Sequence, residues 1–285
     1  MKTKKTTGRL LTYIILIFFA IAVLVPVAWV FFASIKENPE FYRNPWTLPD
    51  GFHWQNYVEA WQEASMGTYF FNSIIITVVG LAILLIVAIP AAYILARFDF
   101  PGKNYLNIFL RAGLFINLSY IVIPIFQQLL NLNRFFQIDF FLNNRFILAL
   151  IYAATALPFT IYLLSNYFSA ISKTYEEAAY LDGAGYFETL LKVMIPMAKP
   201  SIVTVILFNF FSFWNEYIMA QTILTDNALR TLPVGLINLQ QASRAAANYG
   251  PMYASLVIVM LPTLILYIFV QKQLTEGMRV GGDKG

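Results

Sequence analysis

Cysteine is absent from this 285-residue chain, and histidine occurs once, at His53. The first absence excludes disulfides and thiolate metal sites. The second leaves a lone imidazole without companions at metal-ligand spacing, so no metal site is expected. Charge is also scarce. Charged residues make up 12% of the chain and hydrophobic ones 59%, whereas a soluble domain carries about 25% charged residues. No phosphate-binding Gly-x-x-x-x-Gly-Lys-Ser/Thr loop occurs. Gly102-Lys103 lacks both the upstream glycine and the following Ser or Thr, so the chain cannot cradle ATP by that motif. No Ser-His-Asp set or converging carboxylate pair is visible, which argues against a catalytic centre. The net charge of +4 comes from basic residues scattered among loops, which speaks against nucleic acid as a partner.

Long apolar runs are abundant, and a membrane helix needs about 20 such residues. Stretches free of charge run over 10–35, 64–96 (apolar from Tyr69), 112–133, 146–172 and 245–271, and 200–225 holds only Glu216. None alternates like a barrel strand. The expectation is an all-α integral membrane protein with six transmembrane helices. The first run follows Lys2, Lys4, Lys5 and Arg9 and is too long for a signal-peptide core, so it reads as an uncleaved helix. With the N-terminus inside, the inner segments hold thirteen of the 19 basic residues. The outer segments hold only Lys36, Arg43, Arg134, Arg145, Arg230 and Arg244. The positive-inside rule then puts both termini in the cytoplasm. Trp46, Trp54 and Trp61 suit an outer interfacial position among membrane lipid. Pro26, Pro90, Pro124, Pro158 and Pro262 fall within the runs and read as helix kinks.

Polar residues in these runs are costly in lipid and should meet a cavity or a partner helix. Asn72, Asn117, Asn209, Trp214, Asn215 and Glu216 are thus candidate lining for a solute pathway, with Phe213, Trp214 and Tyr217 available for stacking. Interhelical hydrogen bonding is the competing reading for each Asn. Glu216 lies near the outer end of its run, where hydration is expected. An ion-driven carrier would want ionisable groups at mid-membrane, and the central parts of the runs have none.

Between the fourth and fifth runs lies one long inner segment, 172–199. It reads as two short helices around a glycine turn. Thr174 and Glu177 have capping-box spacing, Asp182-Gly183-Ala184-Gly185 stops the first helix, and a second runs from about Tyr186 to Met194 before Pro196. Ala178 and Ala179 make a smooth face that lets another surface approach closely.

Glu177-Ala178-Ala179, Asp182-Gly183-Ala184-Gly185 and Val193-Met194-Ile195-Pro196 together resemble the EAA loop of ABC importer permeases. Phe213-Trp214-Asn215-Glu216-Tyr217 is similar to the family's Trp-Asn-Glu stretch, and the tail from Gln271 to Gly285 to the ending of sugar permeases. Val193, Met194 and Ile195 stand where Ile, Ile and Leu are more usual, and Arg279, Val280 and Asp283 depart from the common tail. The resemblance implies a type I ABC importer permease fold of the carbohydrate, maltose-type six-span branch. It also implies a division into 1–68, a permease core 69–272 and a cytoplasmic tail 273–285. It implies two separate ATPase subunits that bind ATP and Mg, a second homologous permease completing a heterodimer, and an extracytoplasmic sugar-binding protein. Glu177, Ala178, Ala179, Asp182, Gly183 and Gly185 would seat the loop in an ATPase cleft, and the tail would approach the ATPase interface. Asn238, Gln240, Gln241 and Asn248, in the outer segment 223–250, would dock the binding protein. In maltose-type relatives the partner permease makes most sugar contacts. A non-sugar solute such as a glycerophosphate stays open as cargo.

The orientation is checked by reporter fusions. Alkaline phosphatase joined after Trp54 is expected to be active and after Gly183 inactive; the reverse pattern would refute it.

Overall fold

A computed structural model describes the backbone of residues 2–62, 65–116, 118–246 and 248–280, with the side chains of 2–8, 10, 244–246 and 272–280 outside the description. Asn117 and the last five residues therefore lie outside the described residues. The described chain is helical, without a strand. Four helices are long and apolar enough to cross a membrane, over Leu11–Ala33, Met66–Arg97, Arg145–Ala170 and Tyr249–Gln271, or six if each of two bent pairs is one span.

The chain divides into two compact units. The first joins residues 1–67 to 235–261. It contains α1 (Lys2–Ala33), α2 (Asn38–Arg43) and α3 (Gln55–Gln62), with most of α13 (Leu232–Ala246) and the first part of α14 (Tyr249–Val280). From Leu11 to Pro26 every side chain of α1 is exposed. Such an apolar surface requires a non-aqueous solvent. Below it, polar groups tie the segment that follows. Lys36 is buried, donating to Pro45 O at 3.1 Å and Thr47 Oγ1 at 3.3 Å. Asn56 donates to Ser34 O and Lys36 O at 3.0 and 2.8 Å. Burial opposes ionisation of Glu40. The N–H groups of Asp50 and Glu37, with Lys36 and His53 nearby, outweigh it and hold the carboxyl below its ordinary value.

The second unit joins 68–234 to 262–285. It holds nearly all of α4 (Met66–Arg97), then α5 (Lys103–Gly113), α6 (Leu118–Phe136), α7 (Arg145–Ala170), α8 (Thr174–Leu181) and α9 (Tyr186–Thr189). A π-helical turn, Leu190–Met194, leads to α10 (Ile195–Met197), α11 (Lys199–Trp214) and α12 (Ile218–Ile223). Along α4 the buried positions Ile76, Gly80, Leu84, Ala88 and Ala92 recur every fourth residue. That spacing makes one helix face, and its small members let backbones approach. A Cβ on Gly80 would lie 3.2 Å from Ala149 O of α7 and 3.3 Å from the Phe213 ring of α11.

Several boundaries differ from the sequence expectation. The run 200–225 is not one helix. α11 ends at Trp214, and α12 begins at Ile218. The outer segment 223–250 is largely the helix α13 rather than a loop. Thr174 is the first helical residue, not the cap. The N-cap position falls on Lys173, and no side-chain cap forms. Pro196 does not end the second loop helix. The chain stays helical to Met197, and the Tyr186–Met197 and Lys199–Trp214 segments then meet at 76°. The prolines at 26, 90, 124, 158 and 262 all lie inside helices. The backbone beyond 272, assigned to a tail after the permease core, continues α14 as helix to Val280.

Replacing Gly80 by Leu should destabilise the protein by about 1–3 kcal/mol, the usual cost of overfilling a packed seam. Thermal unfolding in detergent measures it, and an unchanged midpoint would contradict the packing described.

Candidate functional site

The EAA-like residues occupy α8 and the turn after it. Residues one apart on a helix point about 100° apart, and α8 divides its acidic residues accordingly: Glu177 and Ala178 are exposed, Glu176 and Ala179 buried. The turn closes as a Schellman motif. Ala184 N donates to Ala179 O at 2.9 Å and Gly183 N to Tyr180 O at 3.1 Å. Gly183 has φ +87°, a conformation that side chains with a Cβ resist. Gly185 is extended and leads into α9. Ala178, Ala179, Asp182 and Gly183 line a groove of about 370 Å³ together with Glu188 and Lys192, which pair with each other.

Sequence reasoning passed over Glu176 as the neighbour of Glu177. Its Oε2 lies 2.9 Å from Arg97 Nε at the end of α4, and the two side chains are only 8% and 5% exposed. Tyr93 donates to Glu176 Oε1 at 2.7 Å. Arg97 Nη2 donates to Ile171 O at 2.6 Å. A second acidic residue beside the EAA glutamate, and an arginine closing a span, were the available signals.

The pathway candidates separate. A cavity of about 500 Å³ is lined by Tyr152, Thr155, Phe159, Phe208, Asn209 and Glu216, among others. Among the described residues, the expected Asn209 and Glu216 line it, as does Phe213 of the stacking candidates, whereas Asn72, Trp214, Asn215 and Tyr217 do not. Asn209 is itself buried, donating to Thr160 Oγ1 at 3.0 Å and Val205 O at 2.7 Å. Glu216 is not simply solvated, as expected from its position. Its carboxylate accepts Met219 N at 2.7 Å and Ala220 N at 2.9 Å, capping α12, and takes the Tyr152 hydroxyl at 2.5 Å. That capping explains the break in the fifth run: the carboxylate satisfies amides that start a new helix. Trp214 is buried, stacked on Phe210 and edge-on to Phe70. Asn215 caps the end of α11, its amide donating to Phe211 O.

Asn72 is a tie rather than a cavity wall. Its Nδ2 donates to Ala228 O and Arg230 O at 2.9 and 3.0 Å, and its Oδ1 accepts from Arg145 Nη1 at 2.7 Å. Asn143 Oδ1 accepts from Thr225 N at 2.7 Å and Asp226 N at 3.0 Å. Segment 225–232 is thereby pinned to the ends of α4 and α7. The expected docking residues also part. Asn238 and Gln240 are half-buried on α13, and Gln241 is exposed. Asn248 Oδ1 accepts from Asn38 at 2.7 Å, while Asn38 Oδ1 caps α14 through Tyr249 N at 2.8 Å. Among the described residues no cluster of His, Asp or Glu could hold a metal.

The model of the family described as "Binding-protein-dependent transport system inner membrane component" matches residues 88–280. The diacetylchitobiose uptake system permease protein of Streptomyces coelicolor is 33% identical, with 95% of this chain and 87% of that protein covered. The trehalose/maltose transport system permease protein of Thermococcus litoralis is 30% identical over 97% of each chain. A chain from the crystal structure of a bacterial ABC transporter that imports the acidic polysaccharide alginate superposes with a TM-score of 0.81. It is 27% identical, with 96% of this chain and 98% of that one covered.

Replacing Asn72 by Ala leaves Arg145 and two carbonyls without their partner. The expected loss is about 1–3 kcal/mol, read as a lower unfolding midpoint in detergent. A midpoint equal to that of the unaltered protein would remove the tie from the account.

Proposed function

The chain belongs to the binding-protein-dependent transport system inner membrane component family, and from that premise we propose that it forms half of the gated pathway of a carbohydrate importer. The cargo is an oligosaccharide or related glycoside. The names of the similar permeases support this class, from diacetylchitobiose to trehalose and maltose. A second, homologous permease supplies the other half, and an extracytoplasmic binding protein delivers the solute. Both termini lie in the cytoplasm. The chain hydrolyses nothing, and ATP with Mg binds to two separate ATPase subunits.

The observation that carries this reading is the outward face of α8. Glu177, Ala178 and Asp182 stand exposed on a rigid, Schellman-closed turn. Small residues there admit a close-fitting partner surface, and an exposed carboxylate is free to meet a basic residue of that partner. Nucleotide-driven closure of the ATPases would move the loop as a body, and the spans would follow, exposing the pathway to one side and then the other. The cavity with Asn209, Glu216, Tyr152 and Phe208 offers hydroxyl partners and aromatic faces, the chemistry a sugar needs. Asn72, Trp214 and Asn215 stand outside that lining and tie neighbouring segments instead. Gln241, exposed on α13, is the first candidate to meet the binding protein, with Asn238 and Gln240 beside it.

In the reconstituted importer, Glu177→Ala or Gly183→Val should lower ATPase stimulation by the loaded binding protein at least about fivefold, the low end of ordinary coupling between sites. Full stimulation with normal transport would defeat the docking role of α8.

A further inference from the structure

The cytoplasmic segment presents two adjacent carboxylates that face opposite ways. Glu177 is exposed; Glu176 is turned into the chain's own helices. There it meets Arg97, the last residue of α4, and Tyr93, one turn earlier on the same helix. Arg97 also holds Ile171 O, at the residue that caps the end of α7. One guanidinium thus gathers the ends of two long spans and the first turn of the loop helix.

The surroundings keep water away. Tyr93 packs edge-on against Phe98 and Phe168, Phe98 against Tyr186, and Tyr186 against Tyr180. Those rings come from α4, α7, α8, α9 and the α4–α5 link. A charge pair sealed in this way is an uncertain source of net stability, because desolvation offsets much of the attraction. Its firmest effect is geometric. Pulling either partner away leaves a buried charge unpaired, so slippage between α8 and α4 is resisted more strongly than apolar contacts alone would resist it. Nothing in a docking role for α8 needs this arrangement, since the docking face is on the other side of the helix.

We propose that Arg97, Glu176 and Tyr93 are positioning residues that lock the cytoplasmic loop to α4, so that the loop and this span move as one rigid lever. The proposal rests on the reading of α8 as the ATPase dock and adds the element through which its displacement reaches the membrane.

The absence of cysteine makes the test clean. Spin labels are placed on cysteines at Leu181 of α8 and Ile86 of α4, both exposed, in the full importer with its ATPase and second permease in nanodiscs. The distance between them is read with and without AMP-PNP and Mg. The unaltered pair should give one narrow distance that nucleotide does not change. With Arg97→Gln or Glu176→Gln, the distribution should broaden and respond to nucleotide, and solute carried per ATP should fall about threefold or more. A lesion that only lowered folding yield would leave both readings unchanged in the complexes that assemble. A narrow, nucleotide-independent distance in either variant overturns the lock. Should neither variant assemble, Tyr93→Phe decides: partial broadening supports the lock, and an unchanged distribution overturns it. Glu177→Gln is the separate control. If it keeps full ATPase stimulation, the docking reading fails, whatever the distances show.

Discussion

A backbone amide or carbonyl left unpaired in hydrocarbon has no water to turn to, and each such group costs several kcal/mol. Helices answer that constraint locally, and the described chain is built of helices. The difficulty moves to the helix ends, where about four amides and four carbonyls lie beyond the reach of the helix's own bonds. Much of the polar chemistry in this protein sits at those ends. Glu216 takes the amides that start α12, Asn144 those of α7, Asn38 those of α14, and Arg97 the carbonyl at the end of α7.

Seen this way, side chains that would otherwise be attributed to a solute pathway have a prior duty. Asn72 and Asn143 hold segment 225–232 by donating to its carbonyls or accepting from its amides. Asn209 binds a threonine on α7 and a carbonyl of its own helix. A polar residue in an apolar run is therefore first a question about orphaned backbone, and only afterwards one about substrate. Asn209 and Glu216 answer to both, because they also line the cavity.

The loop between α7 and α11 shows the same economy at its two faces. A helix of eight residues is too short to be stable by itself, and α8 has no side-chain cap. It is held instead by the Glu176–Arg97 pair on its inner side and by the Gly183 turn at its end. The other side, with Glu177 and Ala178, is then left exposed and free of those structural duties. A flexible loop could not pass on a push; one clamped to a span can.

Much of this was legible in the residues. Charge-free stretches located the spans because the energetic signal, about 20 apolar residues, is local. The glycine turn at 182–185 was equally legible, since a left-handed helix end selects glycine within one turn of chain. The break after Trp214 was not, because Glu216 looks like any polar residue near a span's end until the amides of Met219 and Ala220 are seen against it. Nor was the helix over 232–246 seen beneath its glutamines and asparagines. The sequence by itself determined that the chain lives in lipid, which stretches are apolar enough to cross it, and where a glycine turn closes the loop between them. Only tertiary structure decided which polar side chains hold helices together and which of two neighbouring glutamates points inward. Those outcomes depend on contacts such as Asn72 with Arg230 or Arg97 with Glu176, between residues far apart in the chain, which local pattern does not encode.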